Sequence, residues 1–455
     1  MKHNSMIRIF SKYVSLNVLG MIGLSCYILA DTFFVSNALG TNGLTALNLA
    51  ISVYSIIHGT GLMLGIGGAT KYAVLKAQNK EKDANSFFNH TFILGIITGI
   101  LFLLVGLFFS TPLSKLLGAD NETLIMTSTY ISVILGFSPF FIINNILLAF
   151  IRNDKNPKLS MIAMIVGSLS NIILDYIFVF PLSMGMFGAA FATGLAPIIS
   201  IGVLSIHFIK KKNNFTLTRC KLNIFKIKSI FSLGISTFIT EISSAVVLIM
   251  FNLTILRLAG NIGVAAYGIV ANISLVAISV FTGIAQGVQP LASKSYGKHD
   301  SQNLINLIKY SFILSLSLAV IIYGITIFMS NNIIAVFNSE NNEELLNYAK
   351  NGFILYFIGF FFAGINIVTS AFLSATEQPK TGFIVSITRG CLAIIPLVLI
   401  LPNIFGMTGV WISFTLAELI SCIIAVKFIL LQKKTILKNQ NPDLKNKELK
   451  INNPA

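Results

Sequence analysis

The sequence predicts an all-α integral membrane protein, with twelve transmembrane helices in two six-helix bundles related by a pseudo-twofold axis along the membrane normal. Three observations predict this fold: an apolar composition, twelve apolar runs of membrane-spanning length, and a second half that repeats the first. Apolar residues make up 55% of the 455 residues and charged residues 11%, whereas about 25% of the residues of a soluble domain are charged. This composition excludes most soluble enzymes, nucleic-acid-binding proteins and secreted disulfide scaffolds.

Twelve apolar runs are long enough to cross a membrane as helices. A bilayer core requires about 20 predominantly apolar residues per helix. Helices satisfy their own backbone hydrogen bonds within lipid, whereas open sheets do not, so runs of this length predict a helical bundle. The predicted spans are residues 13–35, 44–70, 88–110, 125–151, 159–181, 187–209, 229–257, 264–292, 308–330, 348–374, 381–403 and 407–431.

The basic residues predict the orientation of these spans. The net charge is +16, and most of the 32 basic residues lie at the termini and in the connections after spans 2, 4, 6, 8 and 10. Lysine and arginine accumulate in cytoplasmic loops. The sequence therefore predicts a multi-pass protein of the inner (plasma) membrane with both termini cytoplasmic. The same pattern explains the positive charge without a nucleic-acid partner.

The second half of the chain repeats motifs of the first half at a nearly constant offset of about 220 residues. Ala149-Phe150-Ile151 corresponds to Ala371-Phe372-Leu373, Pro157-Lys158 to Pro379-Lys380, and Gly40-Thr41-Asn42-Gly43 to Gly260-Asn261-Ile262-Gly263. With six spans each, both halves have the same orientation in the membrane, so their symmetry axis follows the membrane normal.

The repeat and the basic loop between the halves predict the domain organisation. We expect an N-terminal six-helix lobe at residues 1–209 and a C-terminal six-helix lobe at residues 229–431. A basic cytoplasmic linker at 210–228 joins the two lobes. The Lys- and Asn-rich residues 432–455 predict a disordered basic cytoplasmic tail.

Two pairs of polar residues in the N-terminal half are candidates for a cation or proton site. Asp31 in span 1 and Asp175 in span 5 are expected at similar depths, and a charged side chain at the bilayer centre costs about 2.5–3.5 kcal/mol on insertion scales. Tyr27 precedes Asp31 by four residues and Asn171 precedes Asp175 by four, so each pair shares a helix face. These oxygens suit Na⁺, and close carboxyls also share a proton; the sequence leaves both alternatives open.

Two further acidic residues lie within spans of the C-terminal half. Glu241, in a polar patch of span 7, is a candidate contact for a cationic substrate or a second proton carrier. Glu418 in the last span has no evident partner, and Arg389 in span 11 either neutralises an acid or extends to the membrane surface. The sequence contains no Walker motif and no cluster for metal or nucleophilic catalysis, so we expect neither an enzyme nor a cofactor beyond a coupling ion.

Several motifs together resemble those of the multidrug and toxic compound extrusion (MATE) transporters over nearly the whole chain. The motifs are Ala30-Asp31-Thr32-Phe33-Phe34-Val35, Asn171-Ile172-Ile173-Leu174-Asp175, Gly185-Met186-Phe187-Gly188-Ala189-Ala190, and Gly283-Ile284-Ala285-Gln286-Gly287-Val288-Gln289-Pro290. The resemblance implies a secondary active multidrug efflux antiporter. Such a protein exports organic, typically cationic amphipathic compounds in exchange for Na⁺ or H⁺ by alternating access.

The resemblance also implies which residues form the sites. The coupling cation or proton site would consist of Asp31, Asn171, Asp175 and Thr193, and the same four residues would bind Na⁺ in a sodium-coupled protein. Substrate would contact Tyr27, Asp31, Asp175 and Glu241. Another branch of the family has coupling acids in spans 7 and 10, but span 10 of this sequence contains no acidic residue.

The alternative function is a lipid-linked oligosaccharide flippase of the same superfamily. A flippase needs a cationic cleft for pyrophosphate, and Arg389 is the main embedded basic residue. The expected partners are drug-like small molecules and the lipid bilayer, and the expected oligomeric state is a monomer.

Overall fold

The computed structural model describes residues 3–338 and 342–438, which form helices joined by short connections. A 3₁₀ turn at Phe357–Gly359 and a π-helical turn at Thr388–Leu392 interrupt two of the spans. The α-helices are α1 His3–Ala77, α2 Glu81–Leu116, α3 Leu124–Gly136, α4 Ser138–Asn153, α5 Pro157–Val179, α6 Gly185–Leu204, α7 Ile206–Ile209, α8 Ile224–Gly297, α9 Ser301–Phe328, α10 Ser330–Phe337, α11 Glu343–Tyr356, α12 Phe360–Ala375, α13 Pro379–Ile387 and α14 Ile394–Lys438.

Three helices are too long to cross a membrane only once. Helices α1, α8 and α14 contain 75, 74 and 45 residues, and a straight helix of 75 residues would extend about 110 Å. Each contains one glycine with non-helical backbone angles: Gly40, Gly260 and Gly406, with φ of 66°, 57° and 56°. Glycine adopts positive φ without a steric penalty, so each of these positions allows the chain to turn.

Contacts across the three glycines show that the chain reverses direction there. The hydroxyls of Tyr27 and Tyr54 lie 2.7 Å apart, although the two residues are separated by 27 positions, or about 40 Å along a straight helix. The rings of Phe251 and Tyr267 lie 5.2 Å apart across Gly260. The Ser413 hydroxyl donates to the Leu397 carbonyl at 3.0 Å across Gly406.

The reversals confirm the predicted number of spans. Within the described residues, eight helical stretches and the bent pair α3–α4 are long and apolar enough to cross a membrane. Three of these stretches each contain a reversing glycine, so the nine stretches make twelve crossings. The repeated Pro157 and Pro379 begin α5 and α13, where a missing backbone N–H costs no helical hydrogen bond.

The predicted linker and tail are partly helical. Helix α8 begins at Ile224, within the predicted linker, and α14 continues past residue 431 to Lys438. Residues 439–455 of the predicted tail lie outside the described residues. Phe215 of the linker is buried against the rings of Tyr72 and Phe88, so the linker is attached to the N-terminal half.

Two hydrophobic cores correspond to the two halves of the chain. One consists mostly of residues from 21 to 230, and the other mostly of residues from 247 to 436. Met6, Phe10 and Val14 at the start of α1 belong to the second core. The first turns of the chain therefore cross over and pack against the C-terminal half.

The halves contact each other closely at the end that carries the basic connections. Residues 57–70 and 283–293 are all buried there. A Cβ atom on Gly67 would lie 2.0 Å from the carbonyl oxygen of Ile230, so the two backbones meet without an intervening side chain. At the opposite end, residues 37–42 and 256–262 are mostly exposed. The molecule is thus closed at the basic end, which we call the closed end, and its helices diverge away from it.

Candidate cation and substrate sites

A cavity of about 1700 Å³, counting space open to solvent, separates the two halves beyond the closed end. Its lining includes polar side chains from both halves. Those of the N-terminal half include Tyr27, Asp31, Tyr54, His58, Tyr130 and Thr193. Those of the C-terminal half include Glu241, Ser274, Arg389 and Glu418. Every acid that the sequence places within a span therefore reaches this cavity, except Asp175.

Asp31 lies on the N-terminal wall of the cavity and is 6% exposed. Its Oδ2 accepts a hydrogen bond from the Tyr130 hydroxyl at 3.4 Å. Its Oδ1 is buried and has no hydrogen-bond partner among the described residues. Tyr130 was missed by the sequence reasoning, because its contact with Asp31 depends on how α3 packs beside α1 and leaves no local pattern.

Asn171 and Asp175 lie one turn apart on α5, and both are fully buried. In the amide orientation that satisfies its neighbours, Asn171 donates to Asp175 Oδ2 at 3.1 Å and accepts from the backbone N–H of Thr193 at 3.2 Å. The Oδ1 of Asp175 is another buried atom for which the described residues provide no partner. Asn171 therefore connects the Asp175 carboxyl to the helix that carries Thr193.

The four residues predicted for the coupling site lie in one region. Thr193 lines the same cavity as Asp31, and Asn171 joins the backbone N–H of Thr193 to Asp175. Two carboxyl oxygens without partners, beside an amide and a hydroxyl, form an oxygen-rich donor set of the kind that hard cations prefer. Close carboxyls can also share one proton. The arrangement fits either a Na⁺ ion or a proton.

The spacing of Tyr27 and Asp31 suggests that they act together, but the Tyr27 hydroxyl contacts a different residue. That hydroxyl pairs with Tyr54, at 2.7 Å. The Tyr54 ring stacks on His58 at 5.6 Å, and His58 Nδ1 lies 3.5 Å from Glu241 Oε2 on the opposite half. A polar chain thus runs from Tyr27 to Glu241 across the cavity. The sequence placed His58 within a span but did not identify its partner.

Glu418 has partners that the sequence did not reveal. Arg389 donates to Glu418 Oε1 from Nη2 at 2.6 Å and from Nε at 3.0 Å. Asn366 donates to Oε2 at 2.7 Å. Arg389 therefore neutralises an acid, the first of the two alternatives, and the pair joins α14 to the π-helical turn.

Comparison with known proteins identifies related sequences over most of the chain. The family model MatE matches residues 18–177 and 236–400, one stretch in each half. The multidrug export protein MepA of Staphylococcus saprophyticus is 28% identical over 417 residues, covering 89% of each chain. The MepA of Staphylococcus aureus is also 28% identical, over 416 residues and 89% of each chain.

Solved structures share the fold over nearly the whole length. A crystal structure of MATE in complex with MaL6 has a TM-score of 0.89 at 21% identity, covering 96% of this chain and 100% of that one. An outward-facing multidrug resistance MATE family transporter of the MOP superfamily has a TM-score of 0.87 at 21% identity, with 96% and 99% coverage. These similarities establish the all-helical MATE fold.

Proposed function

Because the chain belongs to the MatE family, we propose that this multi-pass membrane transporter is a secondary active antiporter that exports drug-like organic compounds in exchange for Na⁺ or H⁺. The observation that carries this proposal is the pair of buried acids, Asp31 and Asp175, each with a carboxyl oxygen that has no partner among the described residues. Asp31 lines a cavity between two halves of the molecule. The relatives named multidrug export protein support the same class of substrate.

The shape of the cavity supports alternating access. The halves are closed at the end that bears the basic connections and diverge at the other end. If basic loops are cytoplasmic, this conformation faces outward and both termini are cytoplasmic. Export then requires a second conformation in which the closed end opens and the other end closes.

Charge on the cavity walls favours cationic amphipathic substrates. Asp31, Glu241 and Glu418 line the cavity with Arg389, and Glu418 is paired with Arg389. Asp31 and Glu241 therefore form no ion pair with a lysine or an arginine of the described chain. We assign the substrate contacts to Tyr27, Asp31 and Glu241, and the coupling cation to Asp31, Asn171, Asp175 and Thr193. Asp175, which the family resemblance also implied as a substrate contact, is fully buried and does not line the cavity.

Competition for the N-terminal carboxyls would couple the two fluxes. A cation or proton at Asp31 and Asp175 removes the negative charge that holds a cationic substrate. The cation can bias the conformation only by the difference between its affinities for the two states. Binding of the cation from the outside would then release the substrate to the outside, so that one binding event couples the two movements.

The alternative, a lipid-linked oligosaccharide flippase, requires a cationic cavity for pyrophosphate. Arg389 is the one lysine or arginine in the described cavity lining, and it is paired with Glu418. A transporter of the same fold from Pyrococcus furiosus is described as having reverse polarity of its binding pocket, suggesting a different function. In this chain, the acids Asp31 and Glu241 of the described cavity lining favour cation export over transport of a pyrophosphate.

Efflux of ethidium from cells that express the protein tests this function. We expect wild-type cells to export the dye and cells with Asp31→Asn, matched for expression, to lose most of that export. Glu81→Gln is the control, because Glu81 is an exposed acid far from the cavity, with a side chain 73% exposed. Equal export by the wild type and the Asp31 variant would refute the site, and absence of export by the wild type would count against drug transport.

A further inference from the structure

Arg152 is a buried basic residue that forms no ion pair with an acid of the described residues. The sequence groups it with the basic connection after span 4, but it lies in the last turn of α4 and is 4% exposed. No ion pair within 4.0 Å involves Arg152 in the part of the chain that the structure describes. The nearby Asp154 instead accepts hydrogen bonds from Tyr72 and Asn214 and pairs with His207.

The hydrogen bonds of Arg152 are also incomplete. A guanidinium has five N–H donors, and the described residues provide one acceptor, the carbonyl oxygen of Gln286, at 3.5 Å from Nη1. This distance is at the limit for a hydrogen bond. The buried Nε has no partner within residues 3–338 and 342–438. A charge buried in this way is expected to have a counter-ion or a set of polar ligands.

Arg152 lines a second cavity that has room for such a ligand. This cavity has a volume of about 740 Å³, counting space open to solvent, and extends from Arg152 and Gln286, where the two halves meet, to Tyr27 and Thr193 of the N-terminal half. Among the described residues, its lining contains no acidic side chain. The Oγ of Ser200 also lines it and has no partner among the described residues. A hydroxyl can donate or accept, and the Oδ1 of Asn144, which also lines the cavity, is an acceptor without a partner among the described residues. The guanidinium can only donate and is positively charged, so its unpartnered Nε favours an anion as the ligand.

We propose that Arg152 binds a small monovalent inorganic anion, chloride in the cell, at the closed end of this cavity. Nε of Arg152 supplies the charge-assisted hydrogen bond, and the Ser200 hydroxyl lines the same space. The carbonyl that Arg152 reaches belongs to Gln286 of the C-terminal half. The anion therefore stabilises a side chain that bridges both halves, and it favours the conformation in which this end is closed.

Thermal unfolding of the full chain in lipid nanodiscs tests the anion site. Sodium gluconate is replaced stepwise by sodium chloride at constant ionic strength, so that only the anion changes. We expect a saturable rise in the melting temperature of the wild type and loss of that rise in Arg152→Met. Lys158→Met is the matched control, because Lys158 lies at the same end but is exposed, and it should keep the rise.

A wild type that does not respond to chloride, or an Arg152→Met variant with the full response, would overturn the proposal. If Arg152→Met does not fold, Arg152→Lys replaces it: the retained charge should keep a response that saturates at higher chloride, since lysine lacks the planar donor fork of arginine. Crystals of the wild type grown in bromide provide an independent measurement. An anomalous peak beside Arg152 Nε supports the site, and absence of a peak there argues for water alone.

Discussion

The two halves of the protein place carboxyls on the same cavity but surround them differently. In the C-terminal half, Glu418 accepts hydrogen bonds from Arg389 and Asn366. In the N-terminal half, Asp31 and Asp175 each retain a buried oxygen without a partner among the described residues. A carboxyl whose acceptors are occupied stabilises the fold, whereas one with a free oxygen is able to bind a ligand. The presence of an acid within a membrane span is therefore not by itself evidence of ion coupling. Whether the acid can bind an ion depends on how many of its oxygens already have partners in the protein.

Breaking the ion pair of the C-terminal half should have the largest effect on stability. Arg389→Met leaves Glu418, whose side chain is 3% exposed, without its cationic partner. Removing one partner of a buried ion pair costs about 3–5 kcal/mol. We expect a strongly lowered melting temperature of the purified protein. The double variant Arg389→Met/Glu418→Leu should recover most of the loss, and failure to recover would mean that Arg389 stabilises the fold through other contacts.

Neutralising an acid of the N-terminal half should change stability little and ion coupling strongly, unlike breaking the Arg389–Glu418 ion pair. Asp175→Asn replaces an embedded carboxyl that has no basic partner in the described part of the chain, so we expect stability to stay within about 1 kcal/mol of the wild type. Coupling between sites is typically worth about 1–3 kcal/mol, or 5- to 150-fold. The stimulation of efflux by an imposed Na⁺ or proton gradient should fall by such a factor. Proteoliposomes with each gradient in turn measure this and identify the ion.

The outcome for Asp175→Asn separates two explanations of the unpartnered oxygens. A variant that loses gradient stimulation and keeps its melting temperature has lost a ligand-binding group. A variant that keeps gradient stimulation but unfolds at lower temperature would show that Asp175 is structural, like Glu418. Thr193→Val, which removes one hydroxyl from the same region, should weaken the apparent cation affinity less than Asp175→Asn does.

The fold was largely predictable from the sequence, whereas the partners within the site were not. Apolar length predicts each span, and the recurrence of Gly40 at Gly260 marks equivalent turns because both residues have positive φ. Asn171 and Asp175 were paired correctly, since their spacing places them one helical turn apart. The contacts of Tyr130 with Asp31 and of Arg389 with Glu418 join residues 99 and 29 positions apart. Such contacts depend on helix packing, which no local spacing encodes.

Glu241 offers an intermediate case, because its side chain is 27% exposed in the cavity and faces His58 across it. A polar contact to so accessible a carboxyl is worth no more than an exposed ion pair, about 0–1 kcal/mol, so Glu241→Gln should leave stability nearly unchanged. We expect weaker export of a cationic dye, with export of a neutral dye and the response to ion gradients preserved. Loss of gradient stimulation in this variant would instead make Glu241 part of the coupling site.

The smallest effect is expected at the closed end, where an ion pair links the two halves instead of stabilising one of them. Lys71 pairs with Glu377, and their side chains are 26% and 24% exposed. Glu377→Gln should lower stability by less than about 1 kcal/mol. The pair must separate when this end opens, so the energy of the pair contributes in full to the free-energy difference between the two conformations. A difference of 1 kcal/mol changes a population ratio about fivefold. Distances between spin labels at the two ends of the cavity should therefore show a larger inward-open fraction in Glu377→Gln.

Lys76→Gln is the control for this prediction, since Lys76 pairs with Glu81 within the N-terminal half. An equal shift in that variant would mean that the ion pair between the halves does not set the equilibrium.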